Sequence, residues 1–121
     1  MSAVGVGSTD MDTSDVQDGA KIAARLRIQA ATDAIRVTAH AHQEMAEEDI
    51  SLEEVYEVLL DGHIVENYPE HKRGACCLVC GHTGDGRYIH VVCTTSLEIA
   101  IIITVYEPRE PKWPTPFARG Q

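Results

Sequence analysis

The period of apolar and polar positions changes along the chain. Residues 1–18 are small, polar and acidic with no repeat, which predicts a disordered acidic leader. Residues 19–34 are Ala-rich, with Ile22, Leu26 and Ala30 four apart, the spacing of a short helix with one apolar stripe. After an extended lead-in from Ile35, Thr38 stands as the N-cap of a helix in which Ala41 and Met45 align. Ser51 and Glu54 have capping-box spacing for the next helix, with Leu52, Val55, Val58 and Leu59 on its apolar face and Gly62 closing it. Beyond Gly62 the period becomes two. "HIVENY" reads as a strand, "ACCLVCGH" and "RYIHVVCTT" flank the turn signal "TGDG", and "IAIIITVY" suits a central strand buried on both faces. Residues 109–121 form a proline-rich tail that cannot extend a sheet. The expected fold is α+β: a core domain over residues 35–108, with N-terminal helices packed on one face of a small antiparallel sheet.

Charge changes this picture little. With 121 residues and a net charge of -9, the chain is one domain whose bulk charge argues against general nucleic-acid binding. The balance is uneven, however. Val37 to His71 holds ten acidic residues and no Lys or Arg, the pattern of a solvated helical face. From Lys72 onward six basic residues face four acidic ones, which leaves room for a local anion site. No segment has the length and apolarity of a membrane span or the pattern of a secretion signal, so a cytoplasmic location with reduced cysteines is expected.

Four cysteines and a CxxC raise the question of zinc. Cys77 and Cys80 lie three apart in a strand and should point to opposite faces, whereas a zinc knuckle needs both sulfurs at one turn. With a two- or four-residue loop at "TGDG", Cys76, Leu78 and Cys80 share an apolar face with Ile89, Val91 and Cys93, and Cys77, Val79, Tyr88, His90 and Val92 share the other. The cysteines then serve as small hydrophobes, and no metal or other cofactor is expected.

Candidate chemistry lies in polar residues set among apolar strands. His90 lies between Ile89 and Val91, Arg87 starts its strand and Tyr106 ends the next. Arg73 precedes the cysteine strand, Lys112 and Arg119 lie on the tail, and His40 begins a helix. His, Tyr and Arg gathered on one sheet face suit phosphate binding and proton transfer on an RNA backbone. Each also has a plainer reading: His90 as a satisfied core histidine, His40 as a packing residue, the arginines as solvated strand ends. No triad, P-loop, dinucleotide fingerprint or metalloprotease motif is present.

The segments "VTAHAHQEMAEEDISLEEVYEVLLDGHIVENYPEHKRG", "CCLVCGHTGDGRYIHVV" and "IIITVYEPREPKW" resemble the bacterial family called domain of unknown function 4258, from about Ile35 to Arg119. That family is similar in layout to RelE-like and BrnT-like toxins of bacterial toxin–antitoxin pairs, which cleave mRNA. Some relatives are paired with a small YgiT-type zinc-finger antitoxin. The resemblance implies a metal-independent endoribonuclease acting on mRNA, free or on the ribosome. In it His90, His40, Tyr106 and Arg87 would be catalytic, and Arg73, Lys112 and Arg119 would hold phosphate. One departure weighs against this: many relatives carry arginines where this chain reads "HQEMAEED", with Glu44 and Glu48. The other reading is a non-catalytic protein-binding or regulatory module of the same fold, docking a partner on its acidic helical face.

Overall fold

The computed structural model describes residues 11–72 and 74–120, with side chains placed from residue 19 onward. The elements in chain order are α1 (Met11–Ala31), β1 (Ile35–Val37), α2 (Ala39–Glu48), α3 (Leu52–Asp61), β2 (His63–Tyr68), β3 (Cys76–His82), β4 (Tyr88–Thr94) and β5 (Ala100–Tyr106). No helix among the described residues is long and apolar enough to cross a membrane. α1 begins at Met11, ahead of the start expected at residue 19; the first ten residues of the expected leader lie outside the described residues.

Local chemistry sets the two core helices as anticipated. The Thr38 side chain accepts from Ala41 N–H at the head of α2. Ser51 and Glu54 form a reciprocal capping box at the head of α3, satisfying two backbone donors that the first turn leaves unpaired. α3 turns Val55, Val58 and Leu59 inward. These meet Cys77, Val79, Ile89, Val91 and Cys93 of the sheet, with Leu26, Ala30, Ala41 and Met45 from the other helices, in one buried cluster.

The sheet has the order β1-β5-β4-β3-β2. Four strands form the expected antiparallel meander, but β1 pairs with β5 in parallel, so the sheet is mixed rather than purely antiparallel. β1 reaches only to Val37, opposite Ile102. Beyond it the β5 edge is met by α2: Glu44 accepts from Val105 N–H at 2.9 Å and from the Thr104 hydroxyl, and Glu48 accepts from Glu107 N–H at 2.9 Å. Glu44 and Glu48 are therefore hydrogen-bond acceptors for an otherwise open strand edge.

Two expectations about the strands are corrected. Cys77 pairs with Cys93, Val79 with Val91 and Cys80 with His90. Cys77, Val79, Ile89, Val91 and Cys93 thus face the helices, while Cys76, Leu78 and Cys80 share the outer face with Tyr88, His90 and Val92. The reason is loop parity. Thr83 N–H donates to Arg87 C=O at 2.8 Å, enclosing three residues, with Gly86 at φ 90°. An odd loop displaces the pairing by one residue, and a one-residue displacement exchanges faces. Cys77 and Cys80 still point to opposite faces. The second correction concerns burial. β5 leaves Ile103 exposed at a register shift opposite Val92 and Cys93, whereas β3 is the strand enclosed on both faces.

Helices cover one face of β3; the C-terminal segment covers the other. Rather than trailing away, residues 109–120 fold back across β2, β3 and β4 and bury Trp113 against the outer face.

Candidate functional site beneath the C-terminal segment

His90 lies at the middle of the outer face and is completely buried. Both ring nitrogens are occupied. Nε2 is 2.7 Å from the Pro116 carbonyl oxygen, which can only accept, so Nε2 carries the proton. Nδ1 therefore accepts from the Tyr106 hydroxyl at 3.1 Å. The Trp113 ring stands edge-on to the imidazole, with centroids 4.4 Å apart. Burial pushes the His90 pKa below the usual imidazole value, and the bond to Pro116 opposes that only in part. Burial likewise raises the Tyr106 phenol.

Arg119 fastens this cover. Its Nε and Nη2 donate to the two carboxylate oxygens of Glu66 at 3.0 and 2.7 Å, and its guanidinium lies 4.8 Å from the Trp113 ring centroid. Tyr68 also donates to Glu66. The bond from Arg119 holds the Glu66 carboxyl below its ordinary range. Lys112 is exposed beside this cluster, and its carbonyl accepts from Gly120 N–H at 2.6 Å.

Thus His90, Tyr106, Lys112 and Arg119 come to one side of the sheet. The remaining expected site residues do not join them. Arg87 points to the helix side, where it donates to the carbonyls of Glu48 and Asp49 at 3.1 and 2.8 Å and to Glu54 at 3.0 Å. It thereby ties the end of α2 to the start of α3. Asp85 at 3.3 Å completes its surroundings as an ion pair without hydrogen-bond alignment. His40 is exposed on α2, 3.4 Å from Glu44 of the same helix, on the helical layer rather than the His90 face. Arg73 lies outside the described residues.

Sequence reasoning missed Glu66, Tyr68, Pro116 and the covering role of Trp113. A usable signal existed: "KWPTPF" is too apolar for a solvated tail, and Glu66 and Tyr68 alternate along a strand. It also missed a ring cluster at the end of the outer face. Tyr88 lies 5.5 Å from Phe117 and 4.8 Å from His82 between centroids, beside a cavity of about 260 Å³ lined also by His63 and Asp61.

The thiols behave as packing groups. All four are free and buried. Burial raises Cys80 to about 11 and raises Cys76, while hydrogen bonding with Cys77 raises Cys93 further. Protonated thiols are poor ligands and poor nucleophiles. Among the described residues no group of three His, Cys, Asp or Glu side chains is placed to hold a metal ion. In this arrangement the imidazole has no free nitrogen for a substrate; its acid–base capacity depends on the cover leaving.

The family model for "Domain of unknown function (DUF4258)" matches residues 37–107, more than half of the chain. No curated protein and no solved structure matches it.

Proposed function

Since the chain belongs to the DUF4258 family, and its one central imidazole is sealed, we propose that it is a non-catalytic protein-binding module of that fold. The observation that carries this reading is the state of the groups a nuclease would need. His90 has both nitrogens engaged. Arg87, Arg109 and Arg119 are each committed to carboxylates, those of Glu54, Glu48 and Glu66. A phosphate would have to displace a carboxylate from each of them, in a molecule of net charge -9. By contrast, Glu53 and Glu57 on α3 project into solvent, so a protein partner would meet an acidic helical face. A cytoplasmic location belongs to this proposal, in keeping with four unpaired thiols.

A second reading keeps the RelE-like mRNA endoribonuclease, with a YgiT-type zinc-finger antitoxin as partner. One observation favours it: His90 and Tyr106 lie together under a single segment whose departure would uncover both and at the same time free Arg119 from Glu66. Labelled RNA incubated with the full chain at low salt, where electrostatic binding is strongest, separates the two readings. The binding-module reading expects neither retention nor cleavage, and no growth defect on induced expression in bacteria. Cleavage that disappears in a folded His90→Ala variant would overturn it, since losing one acid–base group costs about 100-fold or more in rate.

A further inference from the structure

α3 carries more apolar surface than its packing uses. Val55, Val58 and Leu59 face the core, and Leu52, Tyr56 and Leu60 form a second row, four residues apart, at its margin, where Tyr56 and Leu60 pack partly against the core and Leu52 stands clear of it. Leu52 is 46% exposed, and Tyr56 and Leu60 are half-buried. This row is the floor of an open groove of about 730 Å³, bounded by Asp33 on one side and by Gly84 and Asp85 of the β3–β4 turn on the other.

The rim is acidic, and no Lys or Arg lines it. Asp33 is bonded by the Tyr56 hydroxyl, whose pKa is pushed up to about 12 mainly by that bond, and Asp85 is paired with Arg87. Glu53 and Glu57 stand one helical turn apart beside the apolar row, and no ion pair reaches them among the described residues. Tyr56 is thus fixed in place by Asp33 rather than free to fold away, which keeps the floor shaped.

We propose that this groove docks a basic amphipathic helix of a partner protein, its apolar row on Leu52, Tyr56 and Leu60 and its Lys or Arg residues on Glu53 and Glu57. The proposal rests on the binding-module reading and names the surface and partner class. Charge excludes the other occupants: phosphate backbones and anionic lipid surfaces are repelled by the same rim that attracts a basic segment. Spacing selects the helix. From Leu52 to Leu60 the floor runs about 12 Å at 1.5 Å per residue, two turns, which matches anchors at i, i+3 or i+4, and i+7.

A helical model peptide of leucine and lysine, with leucines at i, i+3, i+4 and i+7, is the probe, titrated into the full chain and followed by amide NMR shifts. The expected result is shifts concentrated on residues 52–60 and 84–85, weakening with salt. Glu57→Lys should weaken binding about tenfold, as reversing a contacting charge does. Glu70→Lys makes the same charge change on the exposed β2–β3 connection, at the opposite end of β3 from the β3–β4 turn, and should leave affinity within about twofold at about 0.15 M salt, where the Debye length is about 8 Å. Shifts centred elsewhere, no binding at low salt, or equal loss in both variants would each overturn the groove. RNA cleavage would instead overturn the underlying reading, so the two failures are distinguishable.

Discussion

At position 90 an imidazole sits inside an otherwise apolar strand, and its neighbours decide what it is. Two acceptable partners, a carbonyl that accepts from Nε2–H and a hydroxyl that donates to Nδ1, make the neutral ring cheap to bury. The charged ring would donate from both nitrogens, so the Tyr106 hydroxyl would have to turn from donor to acceptor, and burial disfavours the added charge. The consequence for stability follows from the lowered pKa. Below the free imidazole value of about 6.5 the unfolded chain binds a proton that the native state resists. The His90 contribution is therefore whole above that pH and is lost as pH falls through it toward the native value. Urea midpoints should fall on acidification through this window, and His90→Gln should flatten that part of the profile while lowering stability throughout. Midpoints that decline just as steeply in the variant would show that another group is responsible. The Glu66 carboxylate, also held low, adds its own loss only as pH falls further, through the carboxylate range. His90 and Tyr106 stood out in the sequence; Pro116 did not, because a carbonyl 26 residues away has no signature of its own.

Between residue and molecule, the contact of α3 with β3 sets the geometry. A Cβ on Gly81 would lie 2.8 Å from the Val58 Cα, and one on Gly62 would lie 2.4 Å from the Val58 carbonyl oxygen and 2.8 Å from that of Cys80. The nearest obstacle at each position is backbone, so it cannot swing aside. Gly81→Ala is expected to cost about 1–3 kcal/mol through overpacking, read as a lowered denaturation midpoint. Exposed Gly84, whose added Cβ would meet only the far end of Glu57 at 3.8 Å, gives the contrast: alanine there should change little. Both core helices were legible from short-range chemistry, since the Thr38 cap and the Ser51–Glu54 box are local. The cysteine strand was legible as a strand, but not the face of each residue. Parity turned on whether the β3–β4 loop encloses an even or an odd number of residues, and "TGDG" is compatible with both.

In the whole molecule the chain forms three layers: helices, sheet and the returning C-terminal segment. The third layer is held by little: the Trp113 ring, the Pro116 carbonyl and the Arg119–Glu66 pair. That pair is partly exposed, with Arg119 at 44%, so its removal should cost no more than about 1 kcal/mol of global stability. The local effect should be larger than the global one. Trp113 is the only tryptophan, and it lies under the Arg119 guanidinium. Arg119→Ala should therefore shift its fluorescence to the red and increase quenching by iodide, with the denaturation midpoint nearly unchanged. An unaltered spectrum would mean that apolar packing alone keeps the layer in place. The apolar "KWPTPF" hinted that this segment is covered, but not where it docks, because proline content marks where a sheet stops and not where the chain goes next.

The parallel pairing of β1 with β5 has a consequence in time. A ribosome delivers Ile35–Val37 early and Ala100–Tyr106 late, so the first strand waits for the last before the sheet can close. The β3–β4 hairpin is local and needs no such delay. During the wait Ile35 and Val37 offer an unpaired edge to whatever open strand is nearest, including the still unpaired β5 of another newly made copy. The nascent chain is most vulnerable to the wrong neighbour before its own last strand arrives.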